Sequence, residues 1–317
     1  MKPAETAERQ NSMADIVGIG CSIFDMMLIL GHFPDDDEKT SAEASKVQCG
    51  GPCAVAMITA SKLGITTSFQ GKYGDDMYGL TTRDNLAKYG VDLSSVKIVP
   101  GAASPFCVVL LNQGNGHRAC VGGGVWSPEL MLREEEVDLE AIRGAKYLHI
   151  DGFNYKAAVF AAKKAKEAGV KVSMDLDEGG AGAGSGTEEL VSLIDILIPS
   201  ERSARALSGK EDMEEAAVWI YEKFRPETLV ITMGPQGGIV MVDGEPKHYE
   251  AFPVKVIDSN GAGDVFHGAF LAAKVKGLSD AEAARFASAA SAVKCTGFGA
   301  SESAPDWKTV EAFLASR

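Results

Sequence analysis

The residues best suited to chemistry lie in one stretch of this chain, DSNGAGDVFHGAF, residues 258–270. Gly261 and Gly263 let successive backbone N–H groups point at a single spot. Apolar residues at Val265, Phe266, Ala269 and Phe270 mark the start of a helix, whose N-terminal end favours an anion. Amides over Gly261, Ala262 and Gly263 would thus form an anion hole for a phosphoryl group. Asp264, in the first turn beside that hole, can accept the proton of an attacking hydroxyl while the amides hold developing charge. An aspartate that merely caps a helix after a glycine turn has the same local sequence, so the stretch alone leaves both readings open. His267, one turn further on, is expected to pack or touch solvent, because Asp264 already supplies a base.

A loop of this kind needs a strand before it and a sheet behind it. Apolar runs and breakers predict strands at 16–19, 66–72, 146–150, 170–176, 196–199, 228–233 and 253–257, and a hairpin over 238–242 and 245–249. Helices are expected at 53–63, 80–89, 156–168, 188–194 and 213–223, and from Asp264, Asp280 and Thr309. Strand and helix alternate, the pattern of a parallel sheet with helices on both faces. Residues 22–48 and 102–122 break it with strands that have no helix between them. They are read as antiparallel strands of a second, small β layer. The glycine patch 179–186, GGAGAGSG, matches neither common phosphate-binding glycine pattern and reads as a crossover loop.

Composition narrows the function. The chain has 317 residues, 45% hydrophobic and 24% charged, enough for a sizeable core. A net charge of −13 argues against nucleic acid and against an anionic membrane surface as the main partner. Residues 1–13 are polar, lack an apolar signal segment and read as a mobile tail before a folded unit over 14–317, which makes the cytoplasm the default compartment. The six cysteines form no C-x-x-C pair and are expected to be reduced thiols rather than zinc ligands. The Met26–Met27 pair reads as packing.

G-A-G-D at a helix start in the last third of the chain resembles the signature of the PfkB, or ribokinase-like, kinases of carbohydrates and nucleosides. A second resemblance is the double glycine opening a helix in CGGPCAVAMITASKLG, residues 49–64. GKYGDDMYG (71–79), SER (200–202) and TMGPQGG (232–238) follow in the family's order, so the likeness covers about residues 14–315. It implies a ribokinase-like three-layer α/β/α domain with a mainly parallel sheet and a small β lid contributed by about 22–48 and 102–122. It implies transfer of the γ-phosphoryl of ATP, with Mg²⁺, to a primary hydroxyl of a sugar. Asp264 then resembles the base, with Gly261, Ala262 and Gly263 as its anion hole. Asp25, Gly50 and Gly51 fall where the family binds substrate. Thr232, Gly234, Gly237 and Ser200 fall where it meets the nucleotide, and Glu201 where it organises Mg²⁺ through water. Asp258, Gly299 and Ser303 lie where relatives hold a monovalent cation such as potassium. The lid also offers a homodimer surface in many relatives, and the apolar run from Cys107 to Leu111 suits one.

Two departures bear on the substrate. Relatives often carry Asn where this chain has Val55, and an Asn near the acidic residue that here is Glu201. The first points away from ribose and towards a ketose. GDVFHGA and RFASAASAVKCT resemble the sulfofructose kinase and ketohexokinase branches, where Lys39 would fall near an anionic substrate group. A nucleoside kinase is the alternative, with Phe24, Phe106 or Phe153 stacking on a base, and a non-catalytic binding protein on the same fold is the other.

Overall fold

The structure is a computed structural model and describes residues 13–113, 118–123, 127–176 and 187–317. Most of the expected tail, residues 1–12, and the glycine patch 179–186 lie outside the described residues.

In chain order the strands are β1 (Ile16–Ile19), β2 (Ile23–Leu30), β3 (Ala44–Gly50), β4 (Thr67–Gln70), β5 (Lys72–Gly74), β6 (Lys97–Val99) and β7 (Phe106–Asn112). They continue as β8 (Arg118–Gly123), β9 (Tyr147–Ile150), β10 (Lys171–Leu176), β11 (Ile196–Pro199), β12 (Thr228–Thr232), β13 (Gly238–Val242) and β14 (Glu245–Tyr249). The helices are α1 (Pro52–Lys62), α2 (Met77–Lys88), α3 (Leu139–Arg143), α4 (Tyr155–Glu167), α5 (Thr187–Val191) and α6 (Glu201–Ser208). After them come α7 (Met213–Phe224), α8 (Ala262–Val275), α9 (Asp280–Cys295), α10 (Ala300–Ser303) and α11 (Trp307–Ala315).

The main sheet runs β14-β13-β12-β11-β10-β9-β1-β4. It is parallel from β4 to β12 and antiparallel only in the closing hairpin. The inner strands β1 and β11 read as apolar runs because helices cover both faces, while β9 and β10 carry His149, Ser173 and Asp175 among apolar residues. Ile16, Ile196 and Ile198 join α1, α8 and α9 in one cluster. Val17, Leu148, Val172 and Leu197 join α4 and α7 in the other. Helix α1 is buried from Cys53 to Ala60, as its small apolar sequence predicts. Fully buried Phe69 and Phe270 anchor the first cluster, each contributing about 1.5–3 kcal/mol.

Side-chain caps fix the helix starts. Asp76 accepts Gly79 N–H and opens α2 at Met77, three residues ahead of the expected start. Ser279 and Glu282 form a capping box on α9.

The second sheet has the order β3-β2-β7-β8. It differs from the expected antiparallel layer in one respect: β2 and β7 are parallel, while β2–β3 and β7–β8 are antiparallel. Long connections separate β2 from β7, so nothing forces a hairpin relation between them. Residues 253–257 are not a strand. The N–H groups of Ile257 and Asp258 instead donate to the Cys295 carbonyl at 2.8 and 3.3 Å, drawing the chain towards α9. Among the described residues no helix is long and apolar enough to cross a membrane.

Candidate active site

The parallel strands deliver Asp151, Asp175, Ser200 and Thr232 at or beside their carboxyl ends, the edge where open α/β sheets bind ligands. Ser200 and Thr232 are bridged to each other across β11 and β12. Ser200 caps α6 by accepting Ser203 N–H, which leaves Glu201 in the first turn, with its carboxylate 2.7 Å from Arg205. The turn after β12 relies on glycine at both ends. Gly234 has φ 57°, and Gly237 has φ 81° with no room for a Cβ, which would lie 2.0 Å from the Tyr249 carbonyl.

On the lid side Asp25 pairs across β2 and β3 with Gln48, and the backbone of Gly50 lies against it. A Cβ at Gly50 would sit 2.0 Å from the Asp25 carboxylate, so only glycine allows this approach. Asp25 is 7% exposed. Burial pushes its carboxyl up to about 7, and the neighbouring Gln48 side chain opposes that rise. Asp151 serves the double-glycine turn. It is buried and accepts the N–H groups of Cys21 at 2.6 Å, Phe153 at 3.0 Å and Cys53 at 3.2 Å. Burial lifts it to about 6, with those three amides holding it back. The same carboxylate therefore ties the start of α1 to the end of β1.

Helix α8 starts as expected at the G-A-G-D stretch. Gly261 is its N-cap, with φ 76°, and a Cβ there would meet Ala300 at 2.4 Å. Gly263 faces open space, with nothing within 4 Å of an added Cβ. Asp264 is half-buried in the first turn, close enough for its charge to push up the Cys53 thiol and to favour the charged form of Lys294. The glycine turn at the start of α8, Asp264 and the start of α1 thus share one locality.

Asp258, Gly299 and Ser303 also come together. Asp258 is buried and accepts Asn260 N–H at 2.8 Å and Gly299 N–H at 3.0 Å. Ser303 donates to the Phe298 carbonyl at 3.0 Å. Gln48 accepts Ala300 N–H at 2.9 Å, and Lys46 donates to the Phe298 carbonyl at 2.9 Å, so β3 of the lid is stitched to this loop. Burial pulls the Lys294 ammonium below its ordinary value, and Asp258 opposes that fall.

Lys39 is exposed in the loop joining β2 to β3, beyond Leu30. Asp25 and Leu30 are five residues apart on one strand, roughly 17 Å. Val55 is fully buried in α1. His267 is buried and sits 3.2 Å from Asp175, so it packs within the fold. Phe24 is 3% exposed and meets Tyr78 at a tilt, its ring centroid 5.0 Å away, and Tyr78 also meets the half-buried Phe106 at 4.9 Å. In GKYGDDMYG the aspartates pin backbone: Asp75 accepts Gly101 N–H and Asp76 accepts Ser104 N–H, fixing the entry to β7. The roles of Asp151, Gln48 and Lys294 were not legible locally, since each acts on residues far away in sequence.

Residues 13–307 match the family described as pfkB family carbohydrate kinase. The chain is 31% identical over 315 residues to a ribokinase of Arabidopsis thaliana, covering 93% of this chain and 79% of that one. It is 25% identical over 296 residues to a nucleoside kinase of Methanothermobacter thermautotrophicus, covering 92% and 93%. The solved Arabidopsis thaliana ribokinase, complexed with ribose and ATP, superposes with a TM-score of 0.80 at 29% identity, covering 95% of this chain and 98% of that one.

Proposed function

The chain belongs to the pfkB family of carbohydrate kinases, and from that premise we propose that it moves the γ-phosphoryl group of Mg–ATP to a primary hydroxyl of a small sugar. The observation that carries this reading is the glycine loop at the start of α8, with Asp264 in its first turn. The substrate oxygen attacks the γ-phosphorus, the bond to the β–γ bridging oxygen breaks, and the hydroxyl proton passes to Asp264. ADP and the phosphorylated sugar leave. The amides of Gly261, Ala262 and Gly263 hold the charge on the transferring group.

Asp25 and the bare backbone of Gly50 and Gly51 receive the sugar hydroxyls. A buried carboxyl held near neutrality gains two hydroxyl donors on binding, which restores the ionised form. Thr232, Gly234, Gly237 and Ser200 form the nucleotide side, and Glu201, now paired with Arg205, is the carboxylate that would hold Mg²⁺ through water. The lid excludes water that would otherwise accept the phosphoryl group.

Of the three rings that could stack on a base, Phe24, Phe106 and Phe153, Phe24 is buried against Tyr78, which favours a sugar over a nucleoside. With Val55 in the core, no amide stands at the point where relatives bond a sugar hydroxyl, which favours a ketose over ribose. The test is kcat/KM on fructose, an anionic 6-substituted fructose, ribose and adenosine. Ribose or adenosine exceeding both ketoses by about tenfold, 1.4 kcal/mol in transition-state binding, ends the ketose reading.

The open face of the lid fits a second copy of the chain. Val47, Met26, Val108 and Val121 lie in register across all four strands, and Val47, Met26 and Val121 are 45%, 37% and 56% exposed. Such a row is self-complementary about a twofold axis, and pairing covers it.

A further inference from the structure

The residues that relatives use for a monovalent cation are already engaged by a cation of this chain's own. Lys294, in the last turn of α9, has a side chain that is 0% exposed. Its ammonium donates to the Asp258 carbonyl at 2.7 Å and lies 3.5 Å from the Asp258 carboxylate, itself fully buried. That carboxylate also accepts the amides of Asn260 and Gly299. The neighbouring carbonyl of Phe298 accepts from both Lys46 and Ser303.

Of the oxygens a metal ion could use here, the Asp258 carbonyl and carboxylate and the Phe298 carbonyl are taken up by hydrogen-bond donors. The ion would also face two ammonium groups at close range. The donor set does not fit a bound monovalent ion. A buried lysine is costly unless its charge is paired and its protons are used. Here the pairing spans the first residue of the anion-hole stretch, through both its main chain and its side chain.

We propose that the Lys294 ammonium replaces a bound monovalent cation, holding loop 258–263 in its anion-binding shape, so that this kinase works without potassium. Lys294 is a positioning residue. It touches Asp258, three residues before the first loop glycine, Gly261, and Asp258 sets that turn by bonding Asn260 and Gly299. The proposal rests on the kinase reading only for its consequence in catalysis; occupancy of the site is a separate matter.

Two measurements on the unaltered protein decide it. The first is a thallium(I) soak of crystals, read by anomalous scattering. No peak is expected between Asp258 and Phe298, and a peak there overturns the proposal. The second is calorimetric binding of a non-hydrolysable ATP analogue with Mg²⁺, in potassium chloride and in tetramethylammonium chloride at equal ionic strength. The two Kd values are expected to agree within about twofold, and a tightening of about tenfold by potassium overturns the proposal. Failure to bind in either salt would sink the kinase reading, while the thallium result would still decide the cation question.

A Lys294→Ala variant supplies the converse. It is expected to gain the thallium peak, and its nucleotide affinity should become potassium-dependent by about tenfold or more. A folded variant that shows neither change would mean that Lys294 merely fills space, against the proposal. Should the variant not fold, the two measurements on the parent stand by themselves.

Discussion

Replacing Asp25 with asparagine is expected to abolish activity and to raise stability together. The carboxyl is 7% exposed, and burial lifts it from 3.8 to about 7, with Gln48 only partly offsetting. A rise of that size corresponds to about 4 kcal/mol of added cost for ionising Asp25 in the folded chain. The folded value lies above the unfolded one, so the folded chain keeps this proton longer as pH rises. Stability is therefore unaffected below about pH 4, falls between about pH 4 and 7, and is level above that. The Asp25→Asn variant carries no charge at any of these pH values and keeps the shape that pairs with Gln48. It should be more stable than the parent by up to about 4 kcal/mol at pH 8, with the gain vanishing near pH 4. Urea titrations at the two pH values measure this, while phosphoryl transfer is followed in parallel and should be lost. A variant no more stable than the parent at pH 8, or a gain of equal size at both pH values, would refute the argument. A site that holds a costly carboxylate for substrate is an instance of stability traded for function.

Three further outcomes follow from particular contacts. Gly261→Ala should lower stability by about 1–2 kcal/mol for its left-handed backbone alone, with more from the approach to Ala300, whereas Gly263→Ala, helical and with its Cβ in open space, should raise stability by about 0.4–1 kcal/mol. Equal melting temperatures for the pair would show that loop packing does not depend on Gly261. Glu136 is held down to about 2: burial works against it, but bonds from Arg133 and Lys72 outweigh burial. Its folded value is depressed, so its contribution is present above about pH 4.5 and lost as pH falls towards 2; Glu136→Gln should cost about 1–2 kcal/mol at pH 7, discounted for the exposed Arg133, and nothing at the acid end. Light scattering at micromolar concentration should give twice 33.4 kDa, and Val121→Lys should return it to one chain; a monomeric parent would count against the lid pairing.

Much of the fold was legible because its signals are local. The buried strands β1 and β11 are short apolar runs, and the hairpin β13–β14 falls at the residues its turn predicts. The start of α8 was legible as well, since two glycines, an aspartate and an apolar face lie within a dozen residues. What escaped depends on distant partners. Residues 253–257 have a strand's composition, yet the Ile257 N–H donates to Cys295 and the Pro253 carbonyl accepts from Arg317. The parallel pairing of β2 with β7 joins segments some 80 residues apart, and nothing in either run encodes its direction. Lys294 reads as an ordinary basic residue in the last turn of a helix. Only the fold brings it against Asp258, 36 residues earlier. Gln48 and Ala300, 252 residues apart, are the same case on the lid side.

The central claim is that Asp264 takes the substrate proton during phosphoryl transfer. The most direct measurement is transfer of label from γ-labelled ATP to fructose by the parent and by Asp264→Asn, with binding of the ATP analogue and the melting temperature checked on both. The amide preserves the helix start and cannot accept the proton. The account predicts a loss of roughly 10²–10⁴-fold in transfer, with fold and nucleotide binding retained. Transfer within a few-fold of the parent would mean that Asp264 only caps α8, contradicting the claim.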